Sequence, residues 1–262
     1  MSQIVYFCTV TLIDYIMAGH SKWANIKRRK GAQDAKRGKM FTKLIKELTI
    51  AAKDGGPDPE ANPRLRLAIQ NAKGANMPKD NIERAINKGA GADSEDYIET
   101  TYEGYASHGV AVFVEATTDN LNRTVSSVRA AFSKFGGSLG TNGSLEFIFD
   151  RKGVFSFPQP EGDMDELILD LIDAGAEEVE TEDEYVHVTC NLEDFGNLQR
   201  KLESMNIEPE VAEAQRVPNT TISLNDQELG SVYKLIETLE DDDDVHKVYH
   251  NIEIKEEQMS LI

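Results

Sequence analysis

Residues 109–116 read GVAVFVEA, and at this point the chain changes its hydrophobic period. Upstream, apolar residues return every three or four positions; from Glu99 onward they alternate, and β-branched runs appear. A short period-two run of this composition is a strand. The chain is therefore helical before about residue 95 and mixed α plus β beyond it.

Downstream, Val125, Val128, Ala131, Phe132 and Phe135 predict a helix over 123–135, stopped by Gly136-Gly137 ahead of a strand at 144–149. A strand at 153–157, a helix at 163–174, strands at 177–180 and 185–190, a helix at 193–205 and a strand at 211–217 then follow. That order, β-α-β-β-α-β, is ferredoxin-like. The tail adds a strand at 220–224, a helix at 227–239 and a strand at 245–254. Segments 95–150 and 218–262 are each half of a two-layer sandwich, and half a sandwich exposes its sheet edge and apolar face. Pairing the halves removes both problems. The expected fold class is thus α+β with three domains: a helical bundle over 17–94, a discontinuous α/β domain of 95–150 plus 218–262, and an inserted α/β domain at 151–217. Both α/β domains are expected to be ferredoxin-like sandwiches.

Upstream, Met40, Phe41, Leu44, Ile45 and Leu48 give one helix over about 34–53, closed by Gly55-Gly56. Asn62-Pro63 is a cap followed by Pro at the first helical position, and Leu65, Ala68, Ile69 and Ala72 line the helix that follows. Pro78 starts a third, with Ile82, Ala85 and Ile86 on its apolar face and Gly89 at its end.

The net charge of −18 has the wrong sign for a nucleic-acid ligand until it is divided along the chain. Residues 18–91 carry 17 Lys plus Arg against 7 Asp plus Glu, a net +10, whereas 92–262 carry 11 against 38, a net −27. A basic head meets a polyanion; an acidic body limits indiscriminate binding. The candidate phosphate-contacting residues are His20, Lys22, Lys27, Arg28, Arg29, Lys30, Lys36, Arg37, Lys39 and Lys43, with Lys79 on the third helix; Arg64 and Arg66 on the second face either phosphate or acidic residues of the neighbouring domain. Trp23 has two readings, an anchor for the arm or a stacking platform for a base or ribose. Met77, in the loop Gly74-Ala75-Asn76-Met77-Pro78-Lys79-Asp80, is either part of a plain turn or a tip that reaches into a groove.

Other classes find little support. Cys8 and Cys190 alone make no disulfide framework or zinc cluster, and a reducing compartment suits the chain. The apolar run 4–13 has no preceding Lys or Arg and falls short of the roughly 20 residues that cross a bilayer. Residues 1–16 are either a short added strand packing on the body or an upstream reading artefact ahead of a true start at Met17, the second being the favoured expectation, and no membrane partner is expected. Gly136-Gly137-Ser138-Leu139-Gly140 lacks the Lys-Ser/Thr ending of a phosphate-cradling loop. His246 and His250 sit in a predicted strand, where a four-residue spacing does not make a metal pair, and Asp241 to Asp244 reads as a solvated loop. No catalytic residue, metal or cofactor is expected.

Four stretches, MAGHSKWANIKRRKGAQDAKRGKMFTKLIKEL, NPRLRLAIQNAKGANMPKDNIERAI, YEGYASHGVAVFVEATTDNLNRT and SKFGGSLGTNGSLEFIF, closely resemble the YebC/PmpR family, over 17 to about 254. The resemblance implies three domains, no enzyme activity, and a cytoplasmic, probable transcriptional regulator that binds promoter DNA. It also implies kinship with mitochondrial translational activators and with bacterial members linked to ribosomes stalled on proline-rich stretches. The sequence departs from the family in residues 1–16 and at Ala106-Ser107-His108, where relatives often carry Gly and Pro. The expected partner is DNA or ribosomal RNA, the ribosome included, bound by a monomer through the basic N-terminal segment.

Overall fold

A computed structural model describes residues 37–91, 96–182 and 184–261. The chain forms two compact units. One holds Ile98–Phe149 and Pro218–Ile262 with the described residues up to Met40; the other holds Phe41–Tyr97 and Asp150–Val217.

The helical part comprises α1 (Arg37–Gly55), α2 (Pro63–Gly74) and α3 (Lys79–Ala90). Leu48, Ala51, Leu65, Ala68, Ala72, Ile82 and Ala85 close its core, the stripe that the three-to-four spacing predicts. Asn62 caps α2 by accepting from Leu65 N at 3.0 Å, and its amide donates to Ala51 O at 2.7 Å and Gly56 O at 2.8 Å. One side chain therefore starts one helix and satisfies carbonyls at the end of another. Gly89 lies where α3 meets α1: a Cβ there would stand 2.2 Å from Thr49 O.

In 150–217 the strands β4 (Phe149–Pro158), β5 (Ala176–Glu182), β6 (Tyr185–Asn191) and β7 (Val211–Pro218) form one sheet in the order β5-β6-β4-β7. Helices α5 (Met164–Asp173) and α6 (Phe195–Ser204) supply Leu167, Leu171, Leu198 and Leu202 to a core with Phe155, Phe157, Val186 and Val188. Residues two apart on β4 and β6 thus face the helices together.

The other sheet runs β3-β1-β2-β9, with β1 (Ile98–Tyr105), β2 (Ala111–Thr118), β3 (Ser138–Leu139) and β9 (Val245–His250). Strand β9 pairs antiparallel with β2, so the halves on either side of the insertion share a sheet. Helices α4 (Leu121–Lys134) and α7 (Asp226–Glu240) pack Val128, Phe132, Leu229, Val232 and Ile236 over Val112 and Val114. Ala111 and Phe113 point the other way, onto Leu145, Ile148, Phe149 and Tyr249. Burial on both faces makes GVAVFVEA the central strand.

Three expectations need correction. Residues 144–148 are turns, and β4 is one strand from Phe149 rather than two pieces. The buried Glu103 carboxylate accepts from Gly143 N at 2.7 Å and Leu145 N at 2.6 Å, which removes those amides from any ladder. The strand expected over 245–254 breaks at Asn251, whose Oδ1 accepts from Ala111 N at 2.8 Å and whose Nδ2 donates to Thr220 O at 3.1 Å. The strand expected over 220–224 shrinks to β8 (Ile222–Ser223), which pairs in parallel with β10 (Ile252–Glu253). Among the described residues no helix is long and apolar enough to cross a membrane.

Candidate functional site

Of the proposed phosphate contacts, His20, Lys22, Trp23, Lys27, Arg28, Arg29, Lys30 and Lys36 lie outside the described residues, as does the side chain of Arg37 at the start of α1. Lys39 falls in the same compact unit as Asp241, meeting its carboxylate at 3.4 Å and donating to its carbonyl at 3.0 Å. Both side chains are about half exposed, so the pair is worth roughly 0–1 kcal/mol and yields readily to a phosphate. Lys43 is half-buried on α1.

On α2, Arg64 is exposed and reaches Asp54 at 3.2 Å. Arg66 is committed to the fold: Nε donates to Pro59 O at 3.1 Å and Nη2 to Glu60 O at 3.0 Å, pinning the turn ahead of the helix. It is withdrawn as a principal phosphate contact. Of the two readings of Met77 the plain turn holds, and the groove-reaching tip does not. Met77 is 5% exposed and packs in the helical core, because Asn76 takes a positive φ of 56° and turns the chain so that Met77 N donates to Ala72 O at 2.9 Å. Lys79 stands out in solvent, 86% exposed, one turn before Glu83 on α3 at 3.5 Å.

Sequence reasoning passed over Lys73, Arg84 and Lys88, all exposed on α2 and α3. Arg84 and Lys88 are four apart on one helix, so they share a face, and that spacing was visible in the sequence. At the end of the helical segment, Lys53 bonds Asp96 at 2.5 Å, which holds the Asp96 carboxyl below its usual range, and Lys46 lies 5.6 Å from the centre of the Tyr97 ring. Residues 37–91 hold 11 Lys plus Arg against 6 Asp plus Glu. Cations spread over short helices in this way suit contacts with phosphates, which position a protein without reading sequence.

Side chains elsewhere that invite a chemical reading are engaged in the fold. His250 is buried at the end of β9, edge-on to Tyr233. The run Asp241 to Asp244 is not wholly a solvated loop: Asp244 is 5% exposed and takes the Arg123 guanidinium at 2.6–3.0 Å and the Thr124 hydroxyl at 3.0 Å. Among the described residues no group of three or more His, Cys, Asp or Glu is placed to hold a metal.

Comparison with known proteins covers nearly the whole chain. The pattern described as the TACO1/YebC protein N-terminal domain matches residues 21–92, and that described as the TACO1/YebC second and third domain matches 97–252. A protein of Amoebophilus asiaticus (strain 5a2) named "Probable transcriptional regulatory protein" is 62% identical over 239 residues, 90% of this chain and 98% of that protein. One of the same name from Geotalea uraniireducens (strain Rf4) is 52% identical over 244 residues, 93% of this chain and 98% of its own length. The crystal structure of a conserved hypothetical protein from Aquifex aeolicus matches with a TM-score of 0.76 at 45% identity, over 85% of this chain and 93% of that one.

Proposed function

The chain belongs to the TACO1/YebC family, and on that premise we propose that it is a non-enzymatic regulator whose basic N-terminal segment grips nucleic-acid phosphates. The observation that carries this reading is the division of charge, +10 over 18–91 against −27 over 92–262. Lys22, Lys27, Arg28, Arg29, Lys30, Lys36, Lys39 and Lys43 are the contacting residues, with Arg64, Lys79, Arg84 and Lys88 extending the surface along α2 and α3. Binding releases counterions condensed on the polyanion and is steeply salt-dependent. The acidic segments favour partners that are not polyanions and suppress indiscriminate adhesion. The protein acts as a cytoplasmic monomer.

Promoter DNA is the ligand suggested by the name its relatives carry, "Probable transcriptional regulatory protein". A second reading, a translation factor bound to ribosomal RNA, is favoured by cations spread over several short helices rather than aligned on one recognition helix, since structured RNA is bound by shape and backbone. The two separate in one experiment at fixed salt: affinity for promoter fragments beside cosedimentation with ribosomes. A regulator of transcription prefers the promoter over unrelated duplex; a translation factor pellets with ribosomes and treats all duplexes alike.

A further inference from the structure

Helix α5 carries more apolar surface than its core uses. Leu167 and Leu171 are buried over the sheet with Met164 packed beside them, yet Leu169 is 65% exposed and Ile172 51%. These two lie three residues apart and form one stripe on the outside of the helix, next to half-buried Ile168. Among the described residues, no other two exposed large apolar side chains fall within a helical turn of each other. Isolated exposed apolar side chains are ordinary, whereas a stripe marks a surface for a partner.

The rim of the stripe indicates the partner's chemistry. Asp165, Glu166 and Asp173 are exposed on the same helix. Residues 153–199 hold 14 Asp plus Glu and no Lys or Arg, so no cation of that segment balances them. The cations that reach in from its two ends are engaged: Lys201 of α6 meets Asp170 at 3.0 Å, and Lys152 meets Glu177 at 2.7 Å. Asp170 thus turns toward α6, and Ile172, two positions on, faces away from it. Nucleic acid and anionic lipid are repelled by such a rim. A second copy docking through the same helix would set carboxylate against carboxylate. Addition of a strand is disfavoured too, because the edge strand β5, which packs beside α5, has a bulge between Ala176 and Glu178 and carries Glu178 and Glu180. The complementary shape is a helix with apolar residues at three- and four-residue steps and Lys or Arg on its flanks. We propose that the outer face of α5 docks a cationic amphipathic helix of a partner protein. Leu169 and Ile172 pack against its apolar stripe, and Asp165, Glu166 and Asp173 pair with its flanking cations. The site lies within one compact unit and stands whichever nucleic acid the basic head engages.

The test uses the full chain and a synthetic peptide of about 18 residues, long enough to form a helix, with Leu and Lys placed to make one amphipathic face. A scrambled peptide of the same composition is the control. The ordered peptide binds, less tightly as salt is raised. Changing Leu169 and Ile172 together to Ser lowers its affinity roughly tenfold, the effect of withholding two aliphatic side chains from burial, and leaves the unfolding midpoint near the parent's. Leu121→Ser, at an exposed apolar position in the other unit, leaves affinity as in the parent. Replacing Asp165, Glu166 and Asp173 by Asn, Gln and Asn weakens binding and flattens its salt dependence. If the paired Ser variant binds the peptide as tightly as the parent, or the scrambled peptide binds equally well, the attraction is diffuse and the docking site is overturned. Self-association of the parent in sedimentation velocity that disappears in the paired Ser variant also overturns it, because the occupant is then a second copy of this chain.

Discussion

Asp244 links elements from the two sequence-distant halves that share a sheet. It lies just before β9, takes three hydrogen bonds from Arg123 Nε and Nη2 and one from Thr124 Oγ1, and so ties the start of α4 to the strand that pairs with β2. Its bonds, with those of Asp119, raise the Arg123 pKa further, and the guanidinium stays ionised at every working pH. Replacing Asp244 with Asn removes the charge while keeping the volume, and is expected to lower stability by about 1–3 kcal/mol in urea unfolding. Asp173→Asn, at an exposed position, is expected to change it by less than about 0.5 kcal/mol. Cys190 has the opposite character. Burial, reinforced by Asp194 and Glu177, pushes its thiol from 9.0 up to about 11. The native state therefore keeps a proton that the unfolded chain gives up, and this contribution to stability is complete below about pH 9 and is lost as pH rises toward 11. Alkylation at pH 8, followed on the peptide containing Cys190, should proceed only when the protein is unfolded.

At the scale of elements, the helices were legible because their signals are local, and the turns were not because theirs are distant. Asn62-Pro63 announced α2, and the structure adds that the Asn62 amide also binds Ala51 O and Gly56 O. Asn62→Ala is accordingly expected to cost about 2 kcal/mol, the upper end for a cap, read from the midpoint of chemical unfolding. Gly89 looked like a simple helix end. Its Cβ position 2.2 Å from Thr49 O and 3.0 Å from Ala52 Cβ makes it the point where α3 approaches α1. Gly89→Ala should therefore destabilise the protein, although Ala is favoured over Gly in a helix by about 1 kcal/mol. By contrast, the strand expected at 144–149 was undone by Glu103, some forty residues upstream, and the groove-reaching reading of Met77 fails because one positive φ at Asn76 folds it inward. Neither cause leaves a periodic trace in sequence. The phosphate-binding list shows the same division: the density of Lys and Arg was readable, whereas the commitment of Arg66 to Pro59 O and Glu60 O needed coordinates.

For the whole molecule, the proposed function rests on the division of charge, +10 over 18–91 against −27 over 92–262. Arg66 and Met77 leave the proposed surface, and Arg84 and Lys88 join it. The most direct measurement is the affinity of the full chain for duplex DNA and for structured RNA as salt is raised, in the parent and in a variant with Lys27, Arg28, Lys30 and Lys36 all changed to Glu. The account predicts that the logarithm of the parent's binding constant falls linearly with the logarithm of salt, and that the variant binds both ligands weakly with a visibly shallower slope and an unchanged fold. A variant that keeps the parent's affinity and slope would contradict it, because the polyanion would then be held somewhere other than the basic head.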